Sequence, residues 1–114
     1  MDDYMDRLRK LALGDEALLG AVLAGDPKRE SSGLGDKVHA LVRLSATVAV
    51  DGGQTSYQLA VERALVAGAS PEEIAGTLLA VVSLTGIPRA VSAAPKLALA
   101  LGYDIDAALE SRDG

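Results

Sequence analysis

Cysteine is absent from this chain of 114 residues. That absence excludes disulfides, thiolate metal ligation and every thiol-based redox mechanism. Phenylalanine and tryptophan are missing too, and only three tyrosines remain, so a stacking site for bases or nucleotides is not expected. One histidine gives a dedicated transition-metal site too few donors. No Gly-rich loop lies between a strand and a helix, because no convincing strand pattern occurs, and no cofactor is expected. The formal net charge of -5 disfavours nucleic acid and anionic membrane as partners through bulk electrostatics. The start, Met1-Asp2-Asp3-Tyr4-Met5-Asp6, is acidic where a secretory signal is basic and then apolar, which makes the cytoplasm the default address. Residues 78–101 are apolar enough to raise a membrane span, but Pro88, Arg89, Pro95 and Lys96 interrupt them, and a buried helical pair is the better reading.

What is present is aliphatic. Hydrophobic residues make up 49% of the chain, largely Ala, Leu and Val, a mixture suited to close helix packing. The length fits one domain, and a helical subunit this small is expected to gain stability as a homo-oligomer. Residues 1–35 read as N-terminal helices and a loop, with an amphipathic helix over Asp2 to Leu13, a shorter one from Asp15 to about Ala24, and the longest loop over Gly25-Asp26-Pro27 to Gly35. Residues 36–101 carry the core. A helix from Asp36 to Asp51 is apolar over most of its circumference, Gly52-Gly53 makes a turn, and Gln54 to Ala67 forms the next helix with Tyr57, Ala60, Val61, Ala64 and Leu65 inward. Pro71 to about Leu84 is nearly all apolar and is expected to be the central helix. Gly86-Ile87-Pro88 interrupts the pattern before a last long helix to Leu101, which Pro95 is expected to kink. Residues 102–114 hold a short helix capped by Asp104 and a tail that frays from Glu110.

Between two of these helices lies Ala-Leu-Val-Ala-Gly-Ala-Ser-Pro-Glu-Glu-Ile, residues 64–74. Gly68 suits the left-handed position after a helix, Ser70 caps the next one, Pro71 fits its first position, and Glu73 completes a capping box. As physics this is an αα-hairpin. The same stretch, with Gly86-Ile-Pro after the following helix, resembles the carboxymuconolactone decarboxylase and AhpD-like family over roughly residues 36–101. The resemblance implies an all-α bundle of about six helices that assembles as a dimer, trimer or hexamer. In redox-active members of that family a Cys-x-x-Cys, a His and a Glu fall at positions matching Gly53, Ser56, Ala60 and Leu41. All four groups are gone here, so thiol peroxidase activity is rejected. The His kept by decarboxylating members also falls on Ala60. This chain therefore looks like a divergent branch without the family's reactive residues.

Two stripes could still carry chemistry. His39 and Arg43 share a helix face with Asp36 and Thr47, and Arg89, Ser92 and Lys96 form the one local basic stripe on the last helix. With Arg43, Arg89 and Lys96 holding an anion and His39 or Tyr57 moving a proton, the chain would be a cofactor-free decarboxylase or isomerase acting on a small carboxylated or lactone metabolite. Solvated or interface stripes and a core tyrosine explain the same residues. The preferred reading is an oligomeric helical protein with a binding, assembly or accessory role.

Overall fold

The computed structural model describes residues 3–24 and 32–113. Most of the predicted long loop, 25–31, lies outside them. Among the described residues every regular element is helical, and there are seven helices rather than about six: α1 (Tyr4–Ala12), α2 (Glu16–Leu23), α3 (Asp36–Ala49), α4 (Gln54–Val66), α5 (Pro71–Thr85), α6 (Ile87–Ala100) and α7 (Ile105–Asp113). None of them is long and apolar enough to cross a membrane. The chain divides into two compact units, 1–35 and 36–114.

In the first unit, Asp3 caps α1 by accepting from the Asp6 amide at 2.8 Å, and Asp15 caps α2 by accepting from Leu18 at 2.9 Å. Each short side chain thereby satisfies one of the amides that a helix start leaves without a partner. Asp6 pairs with Arg9 and Lys10 one turn on. Neither α1 nor α2 has a buried side chain.

In the second unit α3 packs on α4 and α5, and α6 packs on the same two helices, so four helices surround one core, with α7 against α6. The inward residues recur at helical spacing: Ala40, Leu44 and Val48 on α3, Tyr57, Val61 and Ala64 on α4, Ile74 and Leu78 on α5, Ala93 and Leu97 on α6. The turn between α4 and α5 takes the form its residues predict. Gly68 has φ +96°. Its amide donates to Leu65 and that of Ala69 to Ala64, the paired bonds of a left-handed helix end. Ser70 Oγ accepts from the Glu73 amide at 3.1 Å, while a Glu73 carboxylate oxygen accepts from the Ser70 amide at 3.0 Å.

The Ser70 amide, and secondarily Lys37 at 3.1 Å, hold the Glu73 carboxyl below its usual pKa. A folded-state value below the unfolded one means stabilisation that is complete above about pH 4.3 and disappears as pH falls through the folded value. Glu73→Gln is therefore expected to flatten the acid limb of the stability curve, measured by urea unfolding at stepped pH. An unchanged acid limb would show that the pair does not act in solution.

Three helix readings change, while Pro95 lies inside α6, as expected. Residues 110–113 continue α7 instead of fraying. Leu65, expected inward on α4, is exposed. And α5 is not enclosed: only Ile74 and Leu78 are buried, while Leu79 and Leu84 remain 75% and 85% exposed. A nearly continuous apolar run cannot say which of its sides finds a neighbour, and within the second unit α5 packs mainly on α3 and α6.

Candidate functional site at the turn between α3 and α4

The connection from α3 to α4 collects three of the five candidate side chains, Tyr57, Arg89 and Lys96. Helix α3 ends with Asp51 in the left-handed region at φ +56°. The Asp51 amide donates to Val48 and that of Gly52 to Thr47. Aspartate tolerates this conformation better than most residues, so the turn predicted at Gly52-Gly53 is in fact made by Asp51. Gly52 has a different role. A Cβ there would lie 2.8 Å from Thr47 Cγ2 and 3.2 Å from Ser56 Cβ, so the close approach of the two helices needs a residue without one.

Two basic side chains from α6 reach this turn. Arg89 Nη1 donates to the Ala49 carbonyl at 2.8 Å. Lys96 Nζ lies 3.4 Å from the Gly52 carbonyl and 3.7 Å from the Asp51 carboxylate. The last carbonyls of a helix lack internal donors and carry the negative end of its dipole, so both cations sit where α3 stabilises positive charge. Gln54 adds a further tie, donating to the Lys96 carbonyl at 2.9 Å. The basic stripe predicted to hold a ligand thus binds the chain's own backbone.

Tyr57 projects into the core from the first turn of α4 and is fully buried. Its hydroxyl has no protein hydrogen-bond partner among the described residues. Burial raises its pKa, the Asp51 carboxylate adds to the rise, and the Arg89 guanidinium opposes it. The phenol is therefore neutral at physiological pH and unsuited to act as a base. A buried hydroxyl without a partner costs about 1–3 kcal/mol. Tyr57→Phe is expected to raise stability by about 1 kcal/mol in chemical denaturation. A loss of similar size would show the hydroxyl held by a bound molecule.

His39 and Arg43 lie elsewhere. His39 precedes Ala49 by ten residues of α3, about 15 Å along the axis, and Arg43 precedes it by six, about 9 Å. His39 is half-buried and Arg43 exposed. The structure thus gathers Tyr57, Arg89 and Lys96 around one turn and leaves the histidine outside that group. Asp51 and Gln54 belong to it and were missed as site residues. The sequence signal for Asp51 was its place before Gly52-Gly53, where a left-handed aspartate ends a helix; Gln54 gave none. Gly53 caps α4 without a side chain, Ser56 is exposed, and Leu41 and Ala60 pack against the core. Among the described residues no cluster of three His, Asp or Glu side chains is placed to hold a metal ion.

Fold and site define a class: a protein helical in every regular element described, whose larger unit wraps four helices around a largely aliphatic core, with Arg89 and Lys96 turned to the end of α3. No protein-family model, curated protein or solved structure matches the chain.

Proposed function

We propose that this chain is a self-assembling helical module, a divergent relative of the carboxymuconolactone decarboxylase and AhpD-like proteins, with a binding or scaffolding role in place of their chemistry. The kinship rests on the hairpin at residues 64–74 and on Gly86-Ile87-Pro88. The observation that carries the functional reading is the outer surface of α5 and α6. Leu79, Leu84, Ile87 and Val91 are 67–85% exposed, and Leu99 46%. Monomeric proteins rarely leave such side chains grouped in water.

The magnitudes favour assembly. Burying a large aliphatic side chain contributes about 1.5–3 kcal/mol. At the exposures seen, five of them from each of two copies supply on the order of 10–20 kcal/mol. Association costs about 4–15 kcal/mol, which a face of this kind offsets over most of that range. Catalysis has weaker support. A cofactor-free decarboxylase needs a proton-transfer group beside its anion site, whereas His39 lies well along α3 from the turn where Arg89 binds, and the Tyr57 phenol, enclosed in the core, has its pKa raised and gives up its proton less readily.

Sedimentation equilibrium of the full chain over nanomolar to micromolar concentration tests the reading. An assembled, helical species is expected. A folded single chain throughout that range would sink it.

A further inference from the structure

The apolar surface has a peculiarity of charge that says what covers it. The chain has sixteen acidic residues, and none falls between Ile74 and Tyr103, the stretch that forms α5 beyond its first turn and all of α6. Between Ile74 and Pro88 there is no ionisable residue at all. Arg89 and Lys96 are the two charges on α6, and both turn toward the end of α3. What remains exposed on the outer side of α5 is Ala75, Leu79, Ala80, Ser83 and Leu84. On α6 it is Ile87, Pro88, Val91, Ser92 and Leu99. The exposed sides of α3 and α4 differ, since Arg43 and Glu62 stand among their apolar residues.

We infer that this face is the contact between two copies of the chain, related by a two-fold axis, with α5 and α6 of one copy packed on α5 and α6 of the other. The inference rests on the assembly reading and adds its surface and partner. In a two-fold contact the same patch occurs on both sides, so a charge near the axis meets its own like. A patch without charges near the axis avoids that cost when it pairs with itself, whereas a surface built for a different protein commonly gains orientation and selectivity from complementary charge. The α5–α6 face is neutral. Its own exposed side chains set no carboxylate against another when two copies of an acidic chain approach there.

Shape agrees with charge. Gly76, Ala80 and Ser83 follow one another at four and three residues beside Leu79, and a Cβ built on Gly76 meets nothing within 4 Å. Low ground bordered by leucine is what ridge-into-groove packing of a second helix requires.

The test combines sedimentation with distance measurement on the full chain. Leu79→Glu and Val91→Glu each place a carboxylate at a position that water already reaches in the single chain, so helix content is expected to persist while the pair dissociates to single chains. Because cysteine is absent, Ser83→Cys or Thr55→Cys supplies a unique site for a nitroxide label. Pulsed electron resonance should then give a shorter distance between copies for labels at 83, on the outer side of α5, than at 55, on the exposed side of α4. If the parent assembles but both glutamate variants remain assembled, or labels at 55 are the closer pair, this face is wrong while the assembly reading stands. An odd-numbered assembly overturns the two-fold geometry. A parent that sediments as a single folded chain overturns both readings and assigns the face to another occupant. Should a glutamate variant fail to fold, the label distances decide alone.

Discussion

Leu44→Ala is expected to lower the unfolding free energy by about 3–5 kcal/mol, seen as a fall in the urea midpoint at unchanged slope. Leu44 is wholly buried at the middle of α3 and belongs to the same cluster as Tyr57, Val61, Ile74, Leu78 and Leu97. The cluster contains few large side chains. Tyr57, Leu44, Ile74, Val48 and Val61 are its largest fully buried members, and alanines fill positions between them. Removing Leu44 takes away transfer energy and leaves a void that four helices tied by short turns cannot close. A domain of this size has about 5–15 kcal/mol in total, so the variant would approach the limit of folding. Leu79→Ala makes the internal control. At 75% exposure it should move single-chain stability by less than about 0.5 kcal/mol and act instead on association. If Leu44→Ala cost less than about 1 kcal/mol, the aliphatic core would not be packed as described.

Local punctuation was legible: Gly68, Ser70, Pro71 and Glu73 each occupy the backbone position that their chemistry favours, and the helix boundaries nearby follow within a residue or two. Such signals depend on amides and side chains a few residues apart, so sequence holds them in full. The environment of α5 was not legible. Leu78 and Leu79 are consecutive and chemically identical, yet one is buried and the other in water. In a helix that is apolar all round, periodicity does not choose the inward side, and neighbouring helices choose it.

The candidate site divides along the same line. That Arg89 and Lys96 share a face follows from spacing, and it holds. What they touch depends on where α3 ends, some forty residues earlier in the chain. The left-handed turn at Asp51 sets that end and so presents Ala49 and Gly52 carbonyls to α6. A basic stripe read alone suggests an anion. Beside a helix end, it finds the carbonyls first.

Gly86→Ala is the second substitution of large expected effect, about 1–3 kcal/mol destabilising. Gly86 ends α5 and starts α6 at φ +91° and ψ +156°. That conformation is essentially restricted to glycine, because a Cβ there collides with its own backbone. Crowding from elsewhere is not the cause. The nearest atom to a Cβ at Gly86 is Pro88 Cδ at 3.8 Å, an ordinary contact. To relieve the strain the chain would have to reorient the start of α6, and Arg89, three residues on, would then lose its 2.8 Å bond to Ala49. Gly76→Ala is the contrast. Its Cβ meets nothing within 4 Å, so measured on the single chain it should gain up to about 1 kcal/mol from helix propensity alone. Urea unfolding of both variants reads the opposite signs. A synthetic chain with D-alanine at position 86 separates backbone from packing, since the mirror-image residue favours positive φ. Recovery of parental stability would assign the loss to the dihedral, whereas a loss equal to that of the L-residue would assign it to contacts of the methyl group.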